Sequence, residues 1–108
     1  MAFYIKQNDS SPSIRAALKD GDNIPIDLEG ATVRFHMKAL GETTLKVDAV
    51  ASVVSPAVNG IVQYDWDNGD TDTVGSYRAE FEVTFAGGAV ETFPNSDYLS
   101  VIVKSELD

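Results

Sequence analysis

An uninterrupted alternation of apolar and polar residues from Ser76 to Phe85 is the feature that most constrains the fold of this chain. The apolar positions are Tyr77, Ala79, Phe81, Val83 and Phe85, and a polar residue stands between each pair of them. Because successive side chains of a strand point to opposite faces of a sheet, this period of two predicts a strand with one buried face. No part of the chain keeps an apolar period near 3.6 residues, so we expect little helix.

The same alternation, in longer or shorter runs, predicts a total of seven or eight strands. The clearer runs are Val33 to Ala39, Leu45 to Val53, Val62 to Trp66 and Leu99 to Val103, and shorter candidates are Phe3 to Lys6, Ile14 to Leu18 and Ile24 to Leu28. Turn-forming pairs such as Asn59-Gly60 and Asn68-Gly69 separate these runs. Short strands joined by short turns predict an all-β chain, and specifically an antiparallel Ig-like β-sandwich. The length of 108 residues fits one such domain, spanning 1–108.

Composition excludes several classes of partner and chemistry. Seventeen acidic side chains against eight lysines and arginines give a formal net charge of −9, a field that repels nucleic acid and favours solubility. The apolar runs are far shorter than the ~20 residues of a membrane-spanning helix, so we expect no membrane partner. The start of the chain has no secretory signal pattern, and the absence of cysteine excludes disulfides and thiolate chemistry.

The segment "DWDNGDTDT", residues 65–73, raises the question of a metal site. Its spacing fails the EF-hand pattern, because glycine falls at position five of the loop instead of six and serine falls at position twelve. A looser calcium site built from Asp65, Asp67, Asp70 and Asp72 is an open alternative. Asp and Asn also favour turns by bonding nearby backbone amides, so we interpret the segment as a turn between strands and expect no metal ligand.

No other pattern predicts an active site or a cofactor. His36 is the only histidine, stands mid-strand on the polar side, and is interpreted as a surface or interface residue. Acidic pairs drawn from Asp65, Asp67, Glu80 or Glu82 are too common in this composition to indicate a hydrolase, which keeps an unrecognised carboxylate enzyme as a weak hypothesis. The glycines at 87 and 88 lie between two predicted strands and indicate a hairpin turn, not a phosphate loop. We therefore expect no catalytic residue, no cofactor and no enzyme activity.

The aromatic residues suggest a different alternative, a carbohydrate-binding or adhesin-like module that recognises glycans of the host cell surface. Trp66, Tyr64, Tyr77 and Tyr98 would supply the ring faces on which sugars stack. Most of them share the period of the predicted core positions, which favours burial instead.

Four segments, taken in order, carry a family resemblance. They are "IDLEGATVRF" from Ile26, "NGIVQY" from Asn59, "DTVGSYRAEF" from Asp72, and Gly88 followed by Phe93-Pro94. This succession resembles the N-terminal domain family of the baseplate upper protein of lactococcal tailed phages, and the resemblance extends from about Ile14 to Val103. It implies an Ig-like β-sandwich that serves as a non-enzymatic structural and docking part of the virion, in the tail or baseplate or at a head or fibre attachment. It also implies assembly in the host cytoplasm, other virion proteins as partners, and a homo-oligomer of several copies in a symmetric assembly.

For such a module, exposed strand edges are the natural contact sites, because their backbone groups are free to pair with another chain. The N-terminal segment Phe3 to Asn8 and the C-terminal strand from Tyr98 to Lys104 are the candidates. The predicted interface residues are Phe3, Tyr4, Tyr98 and Lys104.

Overall fold

A computed structural model of the protein describes residues 2–94 and 98–107, and the described residues form eight strands and one short 3-10 helix. The strands are β1 (Ala2–Lys6), β2 (Ile14–Ala17), β3 (Thr32–Ala39), β4 (Val47–Val53), β5 (Ile61–Tyr64), β6 (Gly75–Thr84), β7 (Val90–Phe93) and β8 (Leu99–Lys104), and the helix is Ala57–Asn59. The all-β prediction and the number of strands are confirmed. In the described ranges, no helix has the length and apolar character to cross a bilayer.

The strands form one curled, nearly barrel-shaped sheet in the order β1-β8-β6-β3-β4-β5-β2. Strand β7 pairs with the second half of β6, along the edge whose first half pairs with β8. The prediction of a wholly antiparallel arrangement is wrong, because β1 and β8 run parallel, with Ala2 opposite Ser100 and Lys6 opposite Lys104. Parallel neighbours need a long connection, and here nearly the whole chain supplies it. The sheet is therefore mixed.

Strand β6 is the longest strand and pairs with three others, and the strand that its strict alternation predicts is confirmed. It pairs with β3 along one edge and with β7 and β8 along the other. The inward side chains Tyr77, Ala79, Phe81 and Val83 are all buried. The hairpin after β6 is also confirmed, since Phe85 and Ala89 share a backbone hydrogen bond of 2.8 Å across the predicted turn.

The core is organised around Phe35 of β3, which is fully buried. Its ring stacks on Tyr64 at a centroid distance of 4.6 Å, meets Phe81 at 5.1 Å, and packs edge-on against Trp66 at 5.6 Å. Such ring pairs contribute about 0.5–1.5 kcal/mol each beyond the burial of their area. The rings come from β3, β5, β6 and the segment after β5. The cluster therefore joins β6 to β5, which β3 and β4 separate in the strand order.

The segment from Ile24 to Leu28 is not a strand, contrary to prediction. It makes only an isolated bridge between Lys19 and Pro25. Proline has no N–H to donate to a ladder, and the Asp27 carboxylate accepts the Glu29 amide at 3.0 Å, which turns the chain. Leu28 is still buried, because an apolar side chain reaches the core from a loop as well as from a strand. A smaller difference is that β4 begins at Val47 and leaves Leu45 exposed.

Gly60 fixes the approach of this loop to the sheet. It follows the short helix with a φ of +69°, in the left-handed region that residues with a Cβ resist. A Cβ at this position would lie 2.7 Å from the backbone oxygen of Leu18 and 2.8 Å from that of Ile26. The predicted Asn59-Gly60 turn is thus required both by conformation and by the close passage of three chain segments.

We predict that Gly60→Ala lowers the free energy of unfolding by at least ~2 kcal/mol, since the left-handed conformation alone costs roughly 1–2 kcal/mol and the backbone contacts add to it. Gly87→Ala is the matched control, because a Cβ there meets nothing within 4 Å and its φ is not positive. Urea unfolding of both variants provides the measurement. Equal stability of the two variants would contradict the assignment of Gly60 as a constrained position.

Candidate docking surfaces

Strand β1 lies at one end of the strand order and carries two of the four predicted interface residues. Tyr4 points outward and is 63% exposed. Phe3 instead packs against the core, with its ring centroid 5.8 Å from that of Trp66. Strand β8 pairs with one edge of β1, and within the described ranges no strand pairs with the other edge. The free edge and Tyr4 are therefore the accessible part of this candidate interface.

Lys104 and Tyr98 lie at opposite ends of β8. Lys104 is exposed and borders, together with Tyr4, a small cavity of about 210 Å³. Tyr98 precedes the strand, is 40% exposed, and contacts Arg78, whose guanidinium carbon lies 4.6 Å from the ring centroid. The extended chain between Tyr98 and Lys104 spans about 20 Å. The structure thus divides the predicted interface into two separate patches, and their role in binding stays a prediction.

The outer face of the sheet carries the charged residues of β3 and β6 in cross-strand pairs. In the β3–β6 register Arg34 is opposite Glu82, His36 is opposite Glu80, and Lys38 is opposite Arg78. Side chains directly opposite each other are close neighbours, and opposite charges there favour the sheet. The pair of Arg34 with Glu82 follows this rule, whereas the pair of Lys38 with Arg78 places two cations side by side.

Asp48 of β4 joins the same face through two contacts from β3. Its Oδ1 accepts a hydrogen bond from Arg34 Nε at 2.9 Å and lies 3.1 Å from Nε2 of His36. The hydrogen bond from Arg34 is the main cause that holds the pKa of Asp48 below its usual value. The interpretation of His36 as a residue of the polar face is confirmed.

A groove with a volume of about 290 Å³ opens on this face, and we call it the outer-face groove. Its walls include Lys38, Arg78, Tyr98, Leu45, His36 and Glu80. Sequence reasoning identified Tyr98 as a candidate but missed Lys38 and Arg78. Each stands at a polar position of a predicted strand, and only the register of β3 against β6 brings the two together.

The aspartates of the 65–73 segment point to different partners within the protein. Asp65 accepts hydrogen bonds from Ser13 at 2.5 Å and Gln63 at 2.7 Å. The carboxylate of Asp70 accepts the Tyr64 hydroxyl at 2.5 Å and the Asp67 amide at 2.8 Å. These bonds to a neighbouring backbone amide and side chains confirm the interpretation of the segment as a turn.

Asp72, at the end of this turn, forms an ion pair with the Lys46 side chain. Its Oδ1 accepts hydrogen bonds from Lys46 Nζ at 2.5 Å and from the Thr73 hydroxyl at 2.9 Å. The bond from Lys46 is the main cause that lowers the pKa of Asp72, and the Ser13 hydroxyl does the same for the pKa of Asp65. Among residues 2–94 and 98–107, no group of three or more acidic, histidine or cysteine side chains converges as a metal site requires.

Three of the four aromatic residues weighed for sugar stacking are buried, namely Tyr64, Trp66 and Tyr77. Their polar atoms are satisfied at the rim of the core: Trp66 Nε1 donates to Pro12 O at 3.0 Å, and the Tyr77 hydroxyl donates to Thr73 O at 2.5 Å. Burial is the main cause that raises the pKa of both Tyr64 and Tyr77. Of these four rings, only Tyr98 offers a substantially exposed face.

Comparisons with known proteins give one family and one type of fold. The profile of the BppU N-terminal domain matches residues 2–96, a range that contains β1 to β7 and stops before β8. Among solved structures, the crystal structure of CopC from Methylosinus trichosporium OB3b is similar, with a TM-score of 0.53, 12% identity, and coverage of 96% of this chain and 84% of that chain. At this identity the similarity concerns the fold alone. No curated protein matches the sequence.

The burial of the single tryptophan predicts its fluorescence. Because Trp66 is only 5% exposed, we expect a blue-shifted emission that acrylamide quenches weakly and that host polysaccharide leaves unchanged. The urea-unfolded chain serves as the exposed reference. Emission that resembles this reference, or quenching on addition of the polysaccharide, would favour the glycan-binding alternative.

The lowered pKa values of Asp48, Asp65 and Asp72 predict how stability depends on pH. A carboxyl whose folded pKa lies below its unfolded value of 3.8 stabilises the fold above that pH, and this stabilisation is lost as the pH falls. We expect Asp72→Asn to be less stable than the parent at pH 7 and to lose less stability between pH 5 and pH 2. Glu42→Gln, a change at an exposed loop residue, serves as the control. Parallel acid-unfolding curves for the parent and Asp72→Asn would contradict the role of the Lys46 contact.

Proposed function

Because the chain belongs to the BppU N-terminal domain family, whose members are structural proteins of the phage baseplate, we propose that it docks as an assembly module onto other proteins of a tailed-phage virion. The observation that carries this proposal is the family match, which covers residues 2–96. We further propose that several copies take part in a symmetric assembly and that the module has no catalytic activity.

The proposed architecture is a variant of the Ig-like β-sandwich. Two features support it: eight short strands around one continuous core, and the curled, nearly barrel-shaped sheet that encloses this core. In this variant β1 pairs in parallel with β8, and no other strand of the described residues pairs with β1.

The free edge of β1 is the contact site that we propose for docking. A strand edge presents unpaired N–H and C=O groups, which an extended segment of another chain can join as an additional strand. Tyr4, 63% exposed on this strand, would then act as the aromatic anchor that is common at protein interfaces. The net charge of −9 supports solubility of the chain before it meets its partner.

The glycan-binding alternative has less support from the structure. Sugar recognition by stacking needs exposed ring faces, and Tyr64, Trp66 and Tyr77 use theirs within the core. Tyr98 alone would be a small platform, and one of its faces is in contact with Arg78.

We predict that Tyr4→Lys lowers incorporation into particles when a phage that lacks the gene is complemented with the variant, because the change places a charge at the proposed anchor. Val50→Lys is the matched control, since Val50 is 72% exposed on the outer face of β4 and far from β1 in the strand order. Mass spectrometry of purified particles measures the incorporated amount. Absence of the parent protein from the particles would overturn the proposed function, whereas equal incorporation of both variants would overturn only the role of Tyr4.

A further inference from the structure

The pairing of Lys38 with Arg78 breaks the charge pattern of the outer face. These residues are opposite each other in the β3–β6 register, and like charges in that position destabilise a sheet. The chain has only eight lysines and arginines against seventeen acidic residues, so a random choice of partner for either cation would favour an acid. This like-charge pair lowers the stability of the sheet, and a role in binding an anionic group would explain its presence.

Among the residues that the structure describes, no ion pair neutralises these two cations. The ion pairs within 4 Å in the described part of the chain are Arg34 with Asp48, His36 with Asp48, and Lys46 with Asp72. Neither Lys38 nor Arg78 takes part in one. Glu80 lies in the same groove, but it is opposite His36 and offers one carboxylate near three cationic or titratable groups.

The groove around the two cations is also shaped to receive a side chain. It has a volume of about 290 Å³ and combines the charged groups with two exposed apolar surfaces, Leu45 at 42% and Tyr98 at 40% exposure. The Arg78 guanidinium is held 4.6 Å from the Tyr98 ring centroid, a cation–π contact that limits its freedom. An arginine restrained in this way loses less entropy when it binds a carboxylate.

We propose that the outer-face groove binds one carboxylate side chain of a partner virion protein, on a segment whose neighbouring residues are apolar. The carboxylate would lie between Lys38 and Arg78, where arginine can form a two-point contact, and the apolar neighbours would cover Leu45 and Tyr98. This inference rests on the proposed function and adds a second contact site to the β1 edge.

The charge distribution favours such a segment over a polyanion. Nucleic acids and phosphate-rich polymers carry many charges, which the net charge of −9 repels over distances comparable with the size of the domain at low salt. A single carboxylate in an apolar context interacts mainly with the nearby cation pair. The groove therefore selects for local charge and for apolar surface together.

The binding test uses a defined probe, an acetylated and amidated tripeptide with glutamate between two leucines, followed by NMR of the intact protein. We expect chemical-shift changes centred on Lys38, Arg78 and Tyr98, and weaker changes with the same peptide carrying glutamine. Equal shifts for the two peptides, or stronger shifts with inorganic phosphate or glucuronic acid at the same concentration, would overturn the proposal.

Lys38→Glu separates binding from folding. The change replaces a like-charge pair by an opposite-charge pair, so we expect a higher melting temperature. We also expect the affinity for the glutamate peptide to fall about tenfold. Lys19→Glu is the control: it is an exposed residue outside the groove and changes the net charge by the same amount. A Lys38→Glu variant that folds stably and binds the peptide as the parent does would overturn the proposal.

The experiment on particles distinguishes the failure of this inference from the failure of the proposed function. If the parent protein is incorporated and Lys38→Glu is incorporated equally well, the groove is not a docking site and the proposed function stands. If the parent is absent from particles, the proposed function fails. Sedimentation of the parent protein adds a third result: self-association that Lys38→Glu abolishes would identify a second copy as the occupant and overturn the partner named here.

Discussion

The stacking of Phe35 on Tyr64 is the interaction on which the rest of the structure depends. Phe35 belongs to β3 and Tyr64 to β5, and β4 lies between these strands in the sheet. In a flat sheet, strands two places apart are separated by roughly 9.6 Å, because neighbours lie about 4.8 Å apart. The 4.6 Å between their ring centroids is about half this backbone separation, and the rings meet on the concave side of the curled sheet. Phe81 and Trp66 fill the concave side, and the curl is what makes one closed core possible.

This core also determines which surfaces remain for function. Tyr64 reaches the rim, and its hydroxyl is bound by Asp70, so the acidic turn is attached to the aromatic cluster and its carboxylates serve the fold. The three rings that a sugar-binding site would need are part of the same cluster or its border. Two of the surfaces that the fold exposes are the strand that carries Tyr4 and an outer face with mixed charge. Both are surfaces suited to contact with another protein, in agreement with the family.

The sequence predicted those parts of the fold that depend on local pattern. Strand β6 and the turn at Asn59-Gly60 follow from alternation and from glycine chemistry, and the structure contains both. The parallel pairing of β1 with β8 could not be predicted, because a period of two reports which face is buried and carries no information on strand direction. The strand predicted from Ile24 to Leu28 was wrong for a related reason. The apolar spacing indicates that Leu28 is buried, but a residue in a loop can be buried as well as one in a strand. The groove was inaccessible to sequence reasoning because Lys38 and Arg78 meet only through the register of two strands far apart in the chain.

The overall charge and the local cation pair have complementary consequences for an assembly module. At physiological ionic strength, screening limits electrostatic interactions to roughly 8 Å, so the net charge of −9 acts mainly when two copies come close. At that range, contact between unmatched surfaces of two acidic chains is unfavourable, whereas a segment that presents one carboxylate to Lys38 and Arg78 meets attraction. A net acidic chain with a cation pair in its outer-face groove thus disfavours random association and leaves the proposed contact favourable. Specificity in this arrangement comes as much from the repulsion of wrong partners as from the attraction of the right one.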